Sequence, residues 1–515
     1  MSRRLAVLRS ITIVSVSSYI EYALGLVMSV WIARALGPAD FGRYAFTVWL
    51  CSWLITCSNH ALTTSSTKFI AEAEGAGSMS VASHLAGNLN RVQHVSSMIV
   101  MAGFLGVIAI LQPVEWRSNL FPVIVLVVIA TVAKANFAMT VAIEKGQERF
   151  EPEAISTVLT GFIGIALVTV ATVFHAGLLA FVAIFAISQL LLNLINRMAF
   201  RHFCTPFVAG PVPGEMHTRL TRHLKLTAVL VILAACKAGT VEVFLLNTFA
   251  TSVAVGFFSI AITLTRGAVQ LFSVGLTTTL LPYMAKTFGE KGQEHAARFL
   301  SEATRFYWAV GLMIAGLGLI TTRQIVTLMY GTKYIDAIPA IETFLVLAGL
   351  LLLLNGISAF QTVVDRQDDR VRIGVVAMVV NIVLGLILVP MFGLKGAVFT
   401  YAGTRLTELL MSTYYLRRLA RGAVPWTAMA RLAVVAVLST ALGVAVVEVV
   451  PGHFGFVVGA LVFVAVFLPC SILVRYWNED DLRLIGSIAG RLGAPGRMLM
   501  RGLSSLQRHS VGSVP

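Results

Sequence analysis

The stretch A-R-A-L-G-P-A-D-F-G-R-Y-A-F, Ala33 to Phe46, lies between two long apolar runs. Gly37, Pro38 and Gly42 make it a turn, because glycine and proline interrupt regular structure more strongly than any other residues. Yet Arg34, Asp40 and Arg43 are packed into it, in a chain that is only 12% charged. A short, stiff, polar bend joining two apolar segments fits a chain that crosses a bilayer, turns in water and crosses back.

Composition points the same way. The 515 residues are 57% hydrophobic, and mean hydropathy is +0.85. Soluble domains carry about a quarter charged residues, so a water-soluble fold could not hide this much apolar surface. A spanning helix needs about 20 apolar residues at roughly 1.5 Å rise each. Lipid offers no partner to backbone groups, which leaves helices or a closed barrel. The apolar runs here are continuous rather than alternating, so helices are expected. The net charge of +15 would suggest nucleic acid in a soluble protein. In a membrane protein it reads as the Lys and Arg of cytoplasmic loops, and no nucleic acid partner is expected. Cys51, Cys57, Cys236 and Cys470 fall in spans and Cys204 in a basic loop; their spacing gives neither a disulfide framework nor a metal site. The basic N-terminus precedes an apolar run that is long and carries Glu21 at its centre, which fits a retained first helix better than a cleaved signal.

Fourteen spans are expected, centred near Tyr22, Leu54, Gly103, Ala130, Ile165, Ile187, Ala235, Val269, Met313, Leu352, Val383, Leu406, Leu438 and Phe463. With the N-terminus inside, six basic residues fall in outer loops: Arg34, Arg43, Arg117, Arg323, Lys333 and Lys395. Lys134, Lys237, Arg266 and Arg405 lie within spans, and the remaining 29 of the 39 Lys and Arg fall inside. That asymmetry is the positive-inside bias. It implies an even number of spans with both termini cytoplasmic.

The bend has an echo. V-A-V-G-F-F-S-I, from Val253, aligns with A-D-F-G-R-Y-A-F when Gly42 is placed on Gly256, 214 positions on. F-I-A-E-A-E-G and Y-M-A-K-T-F-G align Gly75 with Gly289, again 214 apart. A-I-E-K-G-Q-E-R-F and V-V-D-R-Q-D-D-R-V place Glu144 on Asp365, 221 apart, and Gly177 matches Gly396 at 219. Four ordered matches at nearly constant offset indicate a six-helix unit used twice, with two helices appended. Halves of the same topology are related by an axis along the membrane normal, a known transporter plan. The expected organisation is 1–202, an N-terminal six-helix bundle; 203–223, a cytoplasmic linker; 224–421, a second six-helix bundle; 422–475, two further transmembrane helices; and 476–515, an amphipathic or disordered cytoplasmic tail.

These segments resemble a known family. L-G-P-A-D-F-G-R-Y-A followed by K-F-I-A-E, V-G-F-F-S-I-A followed by L-L-P-Y-M-A-K, and M-Y-G-T-K-Y-I-D-A-I-P-A look like the polysaccharide transport family of oligosaccharide flippases. That family belongs to the MOP exporter superfamily, with the multidrug and toxin extruders and the lipid II flippases. The resemblance covers roughly Ser10 to Arg421 and rests on structural turns, which specify fold better than cargo. It implies an all-α polytopic membrane protein in a MATE-like arrangement. It also implies a flippase that moves a polyprenyl-pyrophosphate-linked oligosaccharide across a bacterial plasma membrane by alternating access. The implied partners are that lipid-linked glycan, membrane lipids, and a polysaccharide polymerase or glycosyltransferases of the same pathway.

Ionisable residues inside spans are costly and therefore candidates for function. Fixed cations would offset the hydration that an anionic pyrophosphate loses in the membrane. Lys237 and Arg266 are the first candidates and Lys134 the next, with Glu21 and Glu242 as ion-coupling or structural charges. Asn59, His60, Asn247 and Gln270 could meet sugar hydroxyls; equally, His60 and the asparagines could be hydrogen-bond glue between helices. Arg405 and Glu408, three apart, suit a local ion pair. Lys237 and Glu242 stand about 140° apart on a helix, whereas Glu242 could instead tie to Arg266. The charged runs after spans four and ten read as solvated or interfacial turns. No phosphate-binding glycine-rich loop is present, so no nucleotide or other cofactor is expected, and no metal. Short outer loops without paired carboxylates argue against a membrane glycosyltransferase or polymerase. A cation-coupled drug or small-metabolite exporter of the same superfamily is the alternative; it would want an acidic cavity.

Overall fold

In the computed structural model, which describes residues 3–111, 120–237, 239–420, 422, 424–450 and 454–478, the opening bend turns on one residue. Gly37 takes φ 71°, in the left-handed region that only glycine enters cheaply. Pro38 follows, where a helix start does not miss its N–H. The two legs form α1 (Arg3–Asn59). At the far end His60 has φ 24°, which breaks the helix and restarts it as α2 (Leu62–Gly75).

The chain continues as α3 (Met79–Leu111), α4 (Leu120–Gly146), α5 (Glu151–Val173), α6 (Leu178–Phe203), α7 (Gly214–Lys237), α8 (Val241–Phe249) and α9 (Ser252–Met329). A 3-10 turn, Thr332–Ala337, leads into α10 (Ile338–Leu351), α11 (Leu353–Val363), α12 (Gln367–Phe392), α13 (Leu394–Leu419), α14 (Trp426–Val449) and α15 (Gly455–Leu473). Of the described residues 90% are helical, and none lies in a strand. Among the described residues, eleven helical segments are long and apolar enough to cross a bilayer. They contain twelve of the fourteen expected centres, because Thr12–Asn59 holds both Tyr22 and Leu54. Ala235 and Leu406 fall in α7 and α13. Charge keeps these two helices out of the apolar set: the first half of α7 reads G-E-M-H-T-R-L-T-R-H-L-K, and α13 carries Arg405 and Glu408. Side chains such as Ile110 (83% exposed) and Val449 (80%) point outward, which suits a lipid-facing surface.

Two compact units divide the chain. The first comprises Met1–Ser259 with Gly385–Ala397. In it α4 packs on α6, α6 on α5, α1 on α4 and α5, and α2 on α3 and α4. A sealed apolar cluster of Leu62, Phe69, Ile70, Leu85, Met139 and Ile143 joins α2, α3 and α4. The Pro/Gly-rich stretch after α6 is tied down along α3. Asn88 Nδ2 donates to Gly210 O (2.8 Å), His84 Nδ1 lies 2.9 Å from Pro211 O, and Val208 N–H donates to Ser83 Oγ (3.1 Å). Gln147 holds Thr205 by a pair of bonds, 3.0 and 3.2 Å. Asn88→Ala should therefore loosen this strap. The measurement is limited digestion with a broad-specificity protease, and faster cutting between Cys204 and Pro213 is the expected result; unchanged cutting would mean the strap is held elsewhere.

The echo has a physical counterpart in this unit. Gly42 and Gly256, matched by sequence, touch each other. A Cβ on Gly42 would overlap the Ser252 carbonyl, and one on Gly256 would stand 2.8 Å from Pro38 O. The later matches shift. Positive φ values recur at Gly77 and Gly292 (215 apart), Glu148 and Asp365 (217), and His175 and Gly393 (218). Arg149 N–H donates to Glu144 O just as Arg366 N–H donates to Gln361 O. The structural partner of Glu144 is thus Gln361 rather than Asp365. The acid-base pattern misled because a helix C-terminal turn is defined by its left-handed residue, not by its charges.

The second unit comprises Ile260–Leu384 and the described residues from Val398 onward. Gly311 of α9 and Gly349 of α10 meet backbone to backbone. α14 and α15 pack through Gly443 and Gly459 against Ile320. Tyr476 is fully buried, and its hydroxyl donates to Arg305 O (2.8 Å).

Candidate substrate site

Among the sequence candidates, the first unit brings Lys134, Glu21 and Asn59 together. Lys134 lies midway along α4, half-buried, with Nζ 4.6 Å from the Phe137 ring centroid. The face of an aromatic ring attracts a cation. Glu21, on the first leg of α1, and Glu153, on α5, are close enough to act on the lysine's charge. Asn59 is buried and donates from Nδ2 to Ala135 O (3.1 Å), next in sequence to Lys134. Its Oδ1 has no hydrogen-bond partner. The neighbouring His60 supplies the helix break, its Nδ1 3.1 Å from Cys57 O. The end of α1 is thereby fixed beside the lysine.

The other candidates lie on other elements. Lys237 ends α7, and its side chain lies outside the described part of the structure. Glu242 is fully buried on α8. Asn247, also on α8, has a buried Oδ1 without a partner. Arg266 and Gln270 are exposed, in the second unit. Arg405 and Glu408 form the local ion pair that their spacing suits, Nη1 to Oε2 3.0 Å.

Sequence reading missed a buried network at the end of α4. The run E-K-G-Q-E-R-F is not simply a solvated turn, because Glu144 is fully buried. Ser156 Oγ lies within donating distance of Asn196 Oδ1 (3.1 Å) and also of Glu153 O (3.0 Å). Asn196 Nδ2 donates to Glu144 Oε1 (2.7 Å). Glu144 Oε2 has no partner. Lys145, one residue on, turns away to pair with Glu153 (2.9 Å). The available signal was polar Ser156 and Asn196 inside otherwise apolar helices. Nearby, burial first and then the charge of Glu144 push the Cys204 thiol up to about 12, so it stays a protonated packing residue.

A second polar contact joins α2 to α7. Arg219 grips Glu72 with both nitrogens (2.8 and 3.2 Å), and Ser65 Oγ lies 3.0 Å from His223 Nδ1. Burial, then Lys68, holds His223 below the usual imidazole range, so the neutral ring is favoured there. No group of three or more His, Cys, Asp or Glu suited to a metal occurs among the described residues.

A family profile described as "Polysaccharide biosynthesis protein" matches residues 7–288, more than half of the chain. The chain belongs to that family. As a member of the polysaccharide biosynthesis protein family, it shares its fold with solved transporters. The lipid II flippase MurJ, in an inward closed conformation, superposes with TM-score 0.68 at 13% identity, covering 90% of this chain and 98% of that one. A multidrug resistance MATE family transporter of the MOP superfamily, inward-facing, gives 0.60 at 15%, covering 80% and 98%. A MOP superfamily transporter from Pyrococcus furiosus gives 0.52 at 14%, covering 80% and 95%. No curated protein matches the chain. The family member is thus a multi-pass membrane protein with the fold of these solved transporters and flippases.

Proposed function

We propose that this protein flips a polyprenyl-pyrophosphate-linked oligosaccharide, a repeat unit of a surface or exported polysaccharide, from the cytoplasmic to the outer leaflet. The membrane is the bacterial plasma membrane, and both termini face the cytoplasm. The two six-helix halves, 1–202 and 224–421, alternate access to a shared path, and the polymerase or glycosyltransferases of the pathway work beside it. The observation that carries this reading is Lys134. A lysine at mid-span costs a few kcal/mol on insertion scales. Here it is held over an aromatic face, with a carboxylate near enough to steady its charge but no direct ion pair with it among the described residues. Such a cation can exchange the field of Glu21 for that of a passing pyrophosphate, which supplies several acceptor oxygens. Lys237 and Arg266 are proposed to extend the basic path.

Lys134→Met should lower outward movement of lipid-linked glycan about tenfold or more, with Lys134→Arg retaining most of it. The readout is the fraction of glycan open to an impermeant sugar-oxidising reagent in spheroplasts, at matched protein level. Undiminished glycan exposure in Lys134→Met, accompanied by efflux of cationic dyes, would favour the drug-exporter alternative.

A further inference from the structure

The second leg of α1 carries Phe46, Trp49 and Trp53 at helical spacing, and α8 packs beside it. Phe46 stacks on Trp49 with ring centroids 5.3 Å apart and planes 21° from parallel. Phe244 of α8 stacks on Trp49 at 6.0 Å and 24°. Trp53 extends the row at 6.2 Å, tilted by 60°. Phe244 is 49% exposed, so the row has an open end.

The indole N–H groups of this row are unmatched, as is the amide oxygen of Asn247, three residues after Phe244 on α8. Trp49 Nε1, Trp53 Nε1 and Asn247 Oδ1 are buried and have no hydrogen-bond partner. The fold matches indoles elsewhere: Trp308 Nε1 donates to Met429 O (3.0 Å) and Trp477 Nε1 to Ser471 Oγ (2.9 Å). Buried indole N–H groups usually find a partner, and an orphan calls for an explanation. Membrane-surface tryptophans would offer one, since their N–H groups reach lipid headgroups. Depth argues against that here. Trp49 and Trp53 lie six and ten residues beyond Arg43 of the exposed Asp40–Arg43 ion pair, which is about 9 and 15 Å farther along the helix.

We infer that the Phe46–Trp49–Trp53–Phe244 row is a sugar-binding subsite, where a hexose ring of the cargo lies against the aromatic faces, accepts from the two indoles and donates to Asn247. A hexose has an apolar C–H face and a rim of hydroxyls that both donate and accept. That pairing answers an aromatic row edged by two donors and one acceptor better than a lipid chain or a pyrophosphate would. In the present conformation the row is closed on itself, and the sugar takes the place of ring-to-ring contact when α8 moves from α1. The inference rests on the flippase reading and names the part of the cargo met at this point.

Binding to the purified full-length protein in detergent tests it. The two probes are farnesyl pyrophosphate and farnesyl pyrophosphate carrying one hexose, measured by isothermal titration. Wild type should bind the glycosylated probe more tightly. Trp49→Phe and Trp53→Phe, which keep a ring and remove the donor, should each weaken that probe about tenfold and leave the bare pyrophosphate unchanged. Phe244→Leu, at a half-exposed ring, gives a second route should an α1 variant fold poorly. Equal binding of the two probes by wild type, or equal losses on both probes in the variants, would overturn the subsite alone. Failure of wild type to bind either probe would remove the flippase reading and the subsite with it.

Discussion

Gly42→Ala should cost the folded protein about 3 kcal/mol or more, the upper range for overpacking a site that cannot relax. The added methyl would overlap the Ser252 carbonyl oxygen and carbon, with Gly256 N 3.1 Å away. All three are backbone atoms at the start of α9, so no side chain can swing aside. Relief would require α1 and α9 to part, and the ring contacts of α1 with α8 would be disturbed with them. Gly256→Ala meets Pro38 O at 2.8 Å and should cost less, since that clash is milder. Gly25→Ala, on the first leg of the same helix with nothing within 4 Å, should be neutral or stabilising by up to about 1 kcal/mol, the helix preference of alanine over glycine. Thermal unfolding of the three detergent-purified variants checks the order. Gly42→Ala melting with Gly25→Ala would show that the close approach is not required for the fold.

That contact also shows what sequence could and could not disclose. The glycines at 42 and 256 stood out because turn residues leave a local mark, and their near-equal contexts revealed the repeat. Span centres were legible for the same reason: each is an apolar run long enough to outvote its neighbours, and thirteen of the fourteen fall within helices, with Leu352 at the turn between α10 and α11. Direction around a helix was not legible at span ends. Glu144 reads as the first charge after an apolar run, and only the packing of α4 against α5 and α6 turns it inward to Asn196. The offset of 221 failed because charges were aligned where backbone geometry was the repeated feature. Lys134 was found by cost alone, a charge in an apolar run. Its neighbours, Phe137 three residues on and Glu21 more than a hundred residues back, required the fold.

Asn196→Leu should be the other large perturbation, at about 1–3 kcal/mol, the cost of stripping the hydrogen-bond partner from a buried polar group. Asn196 is the only hydrogen-bond donor to Glu144 among the described residues, at 2.7 Å, and the second carboxylate oxygen has none. Leucine leaves the acid sealed from water with nothing to offset its lost hydration. Glu144→Gln should cost far less, under about 1 kcal/mol, because an amide keeps the carbonyl that Asn196 addresses and carries no charge. The chain already tolerates this arrangement: Gln361, its counterpart at the matching helix end, is 1% exposed with an unpartnered Nε2. A double-mutant cycle separates lost packing from lost pairing. If the penalty of Asn196→Leu arises from the orphaned carboxyl group, it should shrink by about 1 kcal/mol or more in a Glu144→Met background, which leaves no acceptor to orphan, as coupled neighbours do. An undiminished penalty would assign Asn196 to packing between α5 and α6, with Glu144 a bystander.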